Sequence, residues 1–163
     1  MSKALRYIVV MGVSGCGKTT LARALAQKLD LSFMEGDDFH PKANVDKMAS
    51  GTPLNDEDRK PWLETLNEEL QKHPGAVLSC SALKQSYRDI LKENIPQLIF
   101  VYMDGSFDLI YKRMQSRSDH FMPSTLLESQ FDTLEIPKDA ISIDISQSEE
   151  EILIEALEKL QDV

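Results

Sequence analysis

Short apolar runs separated by longer segments of helical period set the pattern of this chain. "RYIVVMG", "LSFME", "GAVLSCSA", "QLIFVYMD" and "AISIDIS" are strand-sized, mostly rich in β-branched or aromatic residues, and flanked by Gly, Pro or polar residues. Between them, "KTTLARALAQKL", "EDRKPWLETLNEELQKH", "ALKQSYRDILKEN", "SFDLIYKRMQSR" and "SEEEILIEALEKLQ" repeat apolar residues at helical spacing. Ser148 and Glu151 match a capping box at the last of these. Nearly continuous apolar strands that alternate with helices suit a parallel sheet covered on both faces. The expected fold is α/β, a three-layer arrangement with a five-stranded parallel sheet in one domain over residues 1–163.

Two stretches break this alternation. Residues 36–60 and 117–138 read as long polar connections that carry Pro41, Pro53, Pro123 and Pro137. Connections of this length in a compact domain are usually functional. The expectation is a substrate-binding insert over about residues 36–72 and a lid over about residues 117–138.

Composition narrows the partners. With 42% hydrophobic and 28% charged residues the chain has a soluble composition, and its longest apolar run, "LIFVYM", is far short of the roughly 20 residues needed to cross a bilayer. The N-terminus lacks the small-residue cleavage pattern of a signal peptide. Cys16 and Cys80 have no metal-ligand spacing and read as reduced thiols, which points to the cytoplasm. A net charge of −9 opposes binding to nucleic acid or anionic membrane. An anionic ligand must therefore be held by local basic groups.

The first apolar run ends in such a locality. "GVSGCGKTT" fits G-x-x-x-x-G-K-[ST] between a predicted strand and a predicted helix, the setting that gives this motif meaning. Backbone N–H groups there can surround a polyphosphate, aided by the positive end of the following helix. The candidate nucleotide-binding residues are Gly12, Val13, Ser14, Gly15, Cys16, Gly17, Lys18, Thr19 and Thr20. Lys18 would reach the β- and γ-phosphates of ATP, and the Thr19 hydroxyl would ligate Mg²⁺. Cys16 contributes only backbone.

A phosphate loop does not by itself separate a kinase from a switch. No glycine has an Asp three residues before it, and N-K-x-D is missing, so a GTPase switch is not indicated. Asp104, closing "LIFVYMD", resembles a Walker B aspartate, but an apolar strand followed by a polar turn looks the same. "FMEGDDFHP" places Glu35, Asp37, Asp38 and His40 at the carboxyl end of a strand, where ligands bind in open α/β sheets. A carboxylate there could take a proton from an attacking hydroxyl, although Asp and Gly also make ordinary turns.

"GVSGCGKTT", "GDDFHP", "NVDKMASGTPLNDEDRKPWL", "SCSALKQSYRD" and "HFMPSTLLESQFDTLEIP" together resemble the gluconate kinases over residues 6 to about 140. The resemblance implies phosphorylation of D-gluconate at its 6-hydroxyl by ATP and Mg²⁺, on a P-loop kinase fold similar to that of shikimate and nucleoside monophosphate kinases. It also implies a homodimer. By the same resemblance Asp37 is the catalytic base and substrate anchor, with Glu35 standing where related kinases commonly carry the first aspartate of Asp-x-Asp. Arg59 is the candidate for the substrate carboxylate, since its planar fork suits that group. Lys84 and His40 are further substrate candidates. Each has a plainer reading: Arg59 paired with Asp56 or Glu57, Lys84 on the surface, His40 capping a turn. Trp62, spaced with Leu66 and Leu70, reads as packing. Arg113 and Arg117 share a helix face, and the resemblance assigns Arg113 to nucleotide and Arg117 to the transferring phosphoryl group. A kinase for another small hydroxylated acid such as shikimate, or an ATP-binding regulatory module without transfer chemistry, are the alternatives.

Overall fold

The computed structural model describes residues 6–116 and 124–163. Five strands, β1 (Tyr7–Met11), β2 (Ser32–Glu35), β3 (Ala76–Ser79), β4 (Ile99–Asp104) and β5 (Ile141–Asp144), form one parallel sheet in the order β2-β3-β1-β4-β5. Every residue of β1 and β3 is buried, as the unbroken apolar character of "YIVVM" and "AVLS" requires of central strands covered on both faces. Among the described residues seven helices surround the sheet, α1 (Lys18–Leu29), α2 (Lys42–Ala49), α3 (Asp56–Lys72), α4 (Gln85–Lys92), α5 (Phe107–Gln115), α6 (Ser124–Thr133) and α7 (Glu149–Gln161), and all but α2 contribute apolar side chains to its core. Leu25, Leu63, Leu66, Leu70 and Leu91 are wholly buried in one core, each worth about 1.5–3 kcal/mol of transfer free energy.

The five strands and five helices anticipated from periodicity are all present, and α7 opens with the Ser148–Glu151 capping box. The polar connections differ from expectation. Residues 36–60 hold a 3₁₀ turn (Gly36–Phe39) and α2, and the described part of residues 117–138 holds α6. Among its eight residues α2 buries only Asn44, so it has no apolar stripe to betray a helix. In α6 the buried pair Leu126–Leu127 is too short to set a period.

Because all strands run in one direction, their carboxyl ends lie along one sheet edge. Connections leave β1 toward β2 on one side and β3 toward β4 on the other, which opens a crevice over β1. Strand register puts Glu35 beside Ser79, and Ser79 beside Val10. Gly36 follows immediately, and a Cβ on it would lie 2.5 Å from the Ser79 carbonyl oxygen. The 3₁₀ turn can hug β3 only because residue 36 is glycine. Gly36→Ala is therefore expected to displace this turn and lower stability by about 1–3 kcal/mol, read as a lower urea midpoint. An unchanged midpoint would mean that the turn is not held against β3.

Candidate active site

Three pieces of backbone meet in the crevice. The first is the glycine loop between β1 and α1. Gly17 sits before α1 at φ 99°, a left-handed conformation that favours glycine, and α1 begins without a side-chain cap, unlike α3, α5 and α7. The first N–H groups of α1 are thus left for a ligand at the positive end of a twelve-residue helix. Lys18 folds back so that its Nζ donates to the Val13 carbonyl at 3.0 Å. Cys16 and Cys80 are free and buried; burial raises the Cys16 thiol pKa and pushes that of Cys80 up to about 12. Both are unreactive thiols, in keeping with a backbone-only role for Cys16.

The second piece is the end of β2. Thr19 Oγ1 donates to Glu35 Oε2 at 2.5 Å and lies 3.5 Å from Ser79 Oγ. A hydroxyl and a carboxylate at the phosphate end of the loop form the hard oxygen donor set that Mg²⁺ takes alongside substrate phosphates. The longer Glu35 side chain reaches Thr19, whereas Asp104 is an exposed residue paired with Asp144 on β5. Among the described residues no group of three or more His, Cys, Asp or Glu side chains forms a protein-only metal cage.

The third piece joins the 3₁₀ turn to α3. Trp62 is 2% exposed, donates its indole N–H to the Gly36 carbonyl at 2.8 Å, and stacks on His40 with ring centroids 3.9 Å apart. Its role is packing, as its spacing indicates, and it also fixes the turn that carries Asp37. The Asp37 side chain is 82% exposed, and its Oδ1 lies 3.7 Å from His40 Nε2. Burial against Trp62 lowers the His40 pKa below its ordinary value, more than the nearby Asp37 charge raises it. The shift favours the uncharged imidazole.

Arg59 makes no ion pair with Asp56 or Glu57. Its guanidinium donates to the Tyr87 hydroxyl at 2.9 Å, and that hydroxyl donates to Asp56 at 2.5 Å. Lys84 does not join Arg59 and His40 in lining the nearby cavity; its ammonium is directed to Asp56 at 2.9 Å. The Tyr87 hydrogen bond first, and that from Lys84 second, hold the Asp56 carboxyl below its ordinary pKa. Lys84 thereby neutralises a carboxylate that would otherwise compete for Arg59.

Two cavities flank the loop. One of about 530 Å³ is lined by Gly15, Cys16, Gly17, Thr20 and Arg113 together with Gln147 and Ser148, which follow β5, and the start of α7. Arg113 donates to the Ile145 carbonyl at 2.6 Å, which anchors it on that side. The other, of about 310 Å³, is lined by His40, Arg59, Trp62, Ser81 and residues of α6, including Gln130. Arg117 lies outside the described residues. Sequence reasoning did not single out Ser79, Ser81, Tyr87 or Gln130. The first three stand within or beside "SCSALKQSY", and Gln130 stands in a segment that carried no helix signal.

A family model described as shikimate kinase matches residues 14–161. The thermoresistant gluconokinase of Escherichia coli (strain K12) is 42% identical over 161 residues, covering 94% of this chain and 92% of its own length. The crystal structure of a gluconokinase from Sinorhizobium meliloti 1021 superposes with a TM-score of 0.92 at 45% identity, covering 99% of this chain and 94% of that one. Shikimate kinase from Aquifex aeolicus shares the fold, with a TM-score of 0.70 at 19% identity over 95% of this chain and 96% of that one. By this family match over residues 14–161 and these identities over most of both chains, the chain belongs to the shikimate kinase family of P-loop kinases and, within it, to the gluconokinases.

Proposed function

We propose that this protein transfers the γ-phosphoryl group of ATP to the 6-hydroxyl of D-gluconate, giving 6-phosphogluconate. The observation that carries this reading is the pair of cavities on either side of the phosphate loop, the smaller one lined, among the described residues, by the guanidinium of Arg59 beside the imidazole of His40, whose pKa burial lowers. A sugar acid needs one cation for its carboxylate and neutral polar groups for its hydroxyls. The gluconokinase relatives support the choice of acid.

ATP takes the larger cavity, its phosphates on the N–H groups of the loop and on Lys18, and Arg113 serves its nucleotide end. Gluconate takes the smaller one, its carboxylate on Arg59 and its hydroxyls on His40 and Ser81. Asp37 accepts the proton of the 6-hydroxyl as its oxygen attacks the γ-phosphorus, and the bond to the β,γ-bridging oxygen breaks to leave ADP. Thr19 and Glu35 would hold Mg²⁺, which neutralises charge on the phosphates when bound. Residues 36–72 serve as the substrate insert, and residues 117–138, of which 124–138 are described, as the lid that excludes water. The reading includes a cytoplasmic homodimer, which light scattering would reveal.

Purified protein with ATP and Mg²⁺ should release ADP on addition of D-gluconate, with 6-phosphogluconate as product, and not on addition of shikimate. Equal stimulation by shikimate, or ATP binding without turnover on either acid, would sink the gluconate reading.

Asp37→Asn is expected to keep ATP affinity while kcat falls by about 10²–10⁴, the usual size of a general-base contribution. Lys18→Ala should lose transfer by at least as much through the phosphates themselves. Near-normal turnover of Asp37→Asn would remove it from the role of base.

Arg59→Ala should raise KM for gluconate by about a hundredfold, consistent with loss of a charge-assisted bidentate contact, with Arg59→Lys in between. Since the lowered pKa leaves His40 uncharged above its ordinary value of 6.5, that KM should stay flat from about pH 7 to 8.5. A KM that titrates within this range would assign the carboxylate to His40 instead.

A further inference from the structure

Gln130, on α6, stands between the two cavities. Its Oε1 accepts from the Ser14 backbone N–H at 2.7 Å, and its Nε2 donates to Ser14 Oγ at 2.9 Å. The same residue lines the smaller cavity with Leu126 and Ser129. The larger cavity begins at Gly15, the next residue along the loop. The Ser14 N–H therefore lies where a phosphoryl group must pass from donor to acceptor. A carboxamide oxygen 2.7 Å from that N–H takes the direction a phosphate oxygen would take, since one N–H supports one linear bond at that length. An ionised phosphate oxygen makes the stronger, charge-assisted bond and displaces the neutral one.

We propose that Gln130 is a positioning residue for phosphoryl transfer: its carboxamide holds the Ser14 amide until the terminal phosphate of ATP takes that place. This rests on the reading of Gly12–Thr20 as the nucleotide phosphate loop. The link engages both ends of the carboxamide, so it fixes the loop as well as filling it. Beyond α6 the chain is stapled to the start of α4: Glu135 N–H donates to the Leu83 carbonyl at 2.7 Å, the Gln85 N–H donates to the Glu135 carboxylate at 2.9 Å, and Arg88 donates to the Glu135 carbonyl at 2.9 Å. With that end anchored, displacement is met by rotation of the Gln130 side chain or a small pivot of α6. Once released, the carboxamide faces the acceptor cavity with one donor and one acceptor suited to a hydroxyl.

The test is calorimetric binding of AMP-PNP and of ADP, with Mg²⁺ and no acceptor, to the full chain and to Gln130→Leu and Gln130→Glu. Removing the competing hydrogen bonds in Gln130→Leu should tighten AMP-PNP about three- to tenfold and leave ADP unchanged. Gln130→Glu should weaken AMP-PNP more than ADP by placing like charge against the terminal phosphate. An AMP-PNP to ADP affinity ratio unchanged in both variants would reduce the contact to packing and overturn the proposal. Selective loss of AMP-PNP affinity in Gln130→Leu would also overturn it, by making Gln130 a ligand of the phosphate. Failure of the unsubstituted protein to bind either nucleotide would refute the phosphate-loop reading itself. Urea midpoints of the variants establish that each is folded, and either variant alone decides the ratio.

Discussion

Backbone N–H groups with no partner in secondary structure are what the site is arranged around. Between β1 and α1 the chain leaves the sheet and enters a helix with no side-chain cap, so several donors at the positive helix end must find acceptors outside the regular ladder. One of those donors, the Ser14 N–H, finds the Gln130 carboxamide oxygen reaching in from α6, while the Lys18 ammonium, itself a donor, turns to the Val13 carbonyl. The Gln130 oxygen is a neutral acceptor, where the ionised oxygens of a phosphate would make stronger, charge-assisted bonds.

Around that loop the sheet edge distributes chemistry by charge. Carboxylates fall on β2 and the turn after it, with Glu35 against Thr19 and Asp37 beside His40. Cationic groups come from helices: Lys18 at the start of α1, Arg59 in α3, Arg113 in α5. In a chain of net charge −9, binding an anion depends on keeping those few cations free. The Arg59, Tyr87, Asp56 and Lys84 contacts do this. Tyr87 stands between Arg59 and the carboxylate that is its nearest competitor, while Lys84 takes the charge of Asp56. Lys84 thus has a use its sequence context did not reveal, neutralising the carboxylate nearest Arg59.

Most of the fold was legible because it rests on period and on turn chemistry. The nearly continuous apolar runs read as strands of a parallel sheet once helices alternated with them, although only the structure gives their order, and the glycines of the loop marked a phosphate-loop pattern. The same signals failed for α2, which buries no apolar residue, and for α6, whose buried pair Leu126–Leu127 is too short to set a period. Asn44 is buried in α2 to donate to the Asp58 carbonyl at 2.9 Å, a contact that no periodicity encodes. Within the site, Asp37, His40 and Arg59 could be named from their segments, but the partnership of Thr19 with Glu35 depends on strand register, which pairs Glu35 with Ser79 across the sheet. Resemblance to gluconate kinases supplied the acid, and the relatives agree with it.

Trp62 ties these levels together. As a core residue it needs only an apolar surrounding, and Leu66 and Leu70, one and two turns on, share its burial. Its indole N–H, however, must also be satisfied once buried, and the Gly36 carbonyl is what satisfies it. That single bond positions the turn carrying Asp37, while the face of the same ring carries His40 and drives its imidazole toward the neutral form. One packing decision in α3 therefore fixes the turn that carries Asp37 and sets His40 beside Arg59 in the same cavity wall. Substituting this residue would be felt at the site before it was felt in the core, because the apolar contacts of a phenylalanine could replace the packing but not the hydrogen bond.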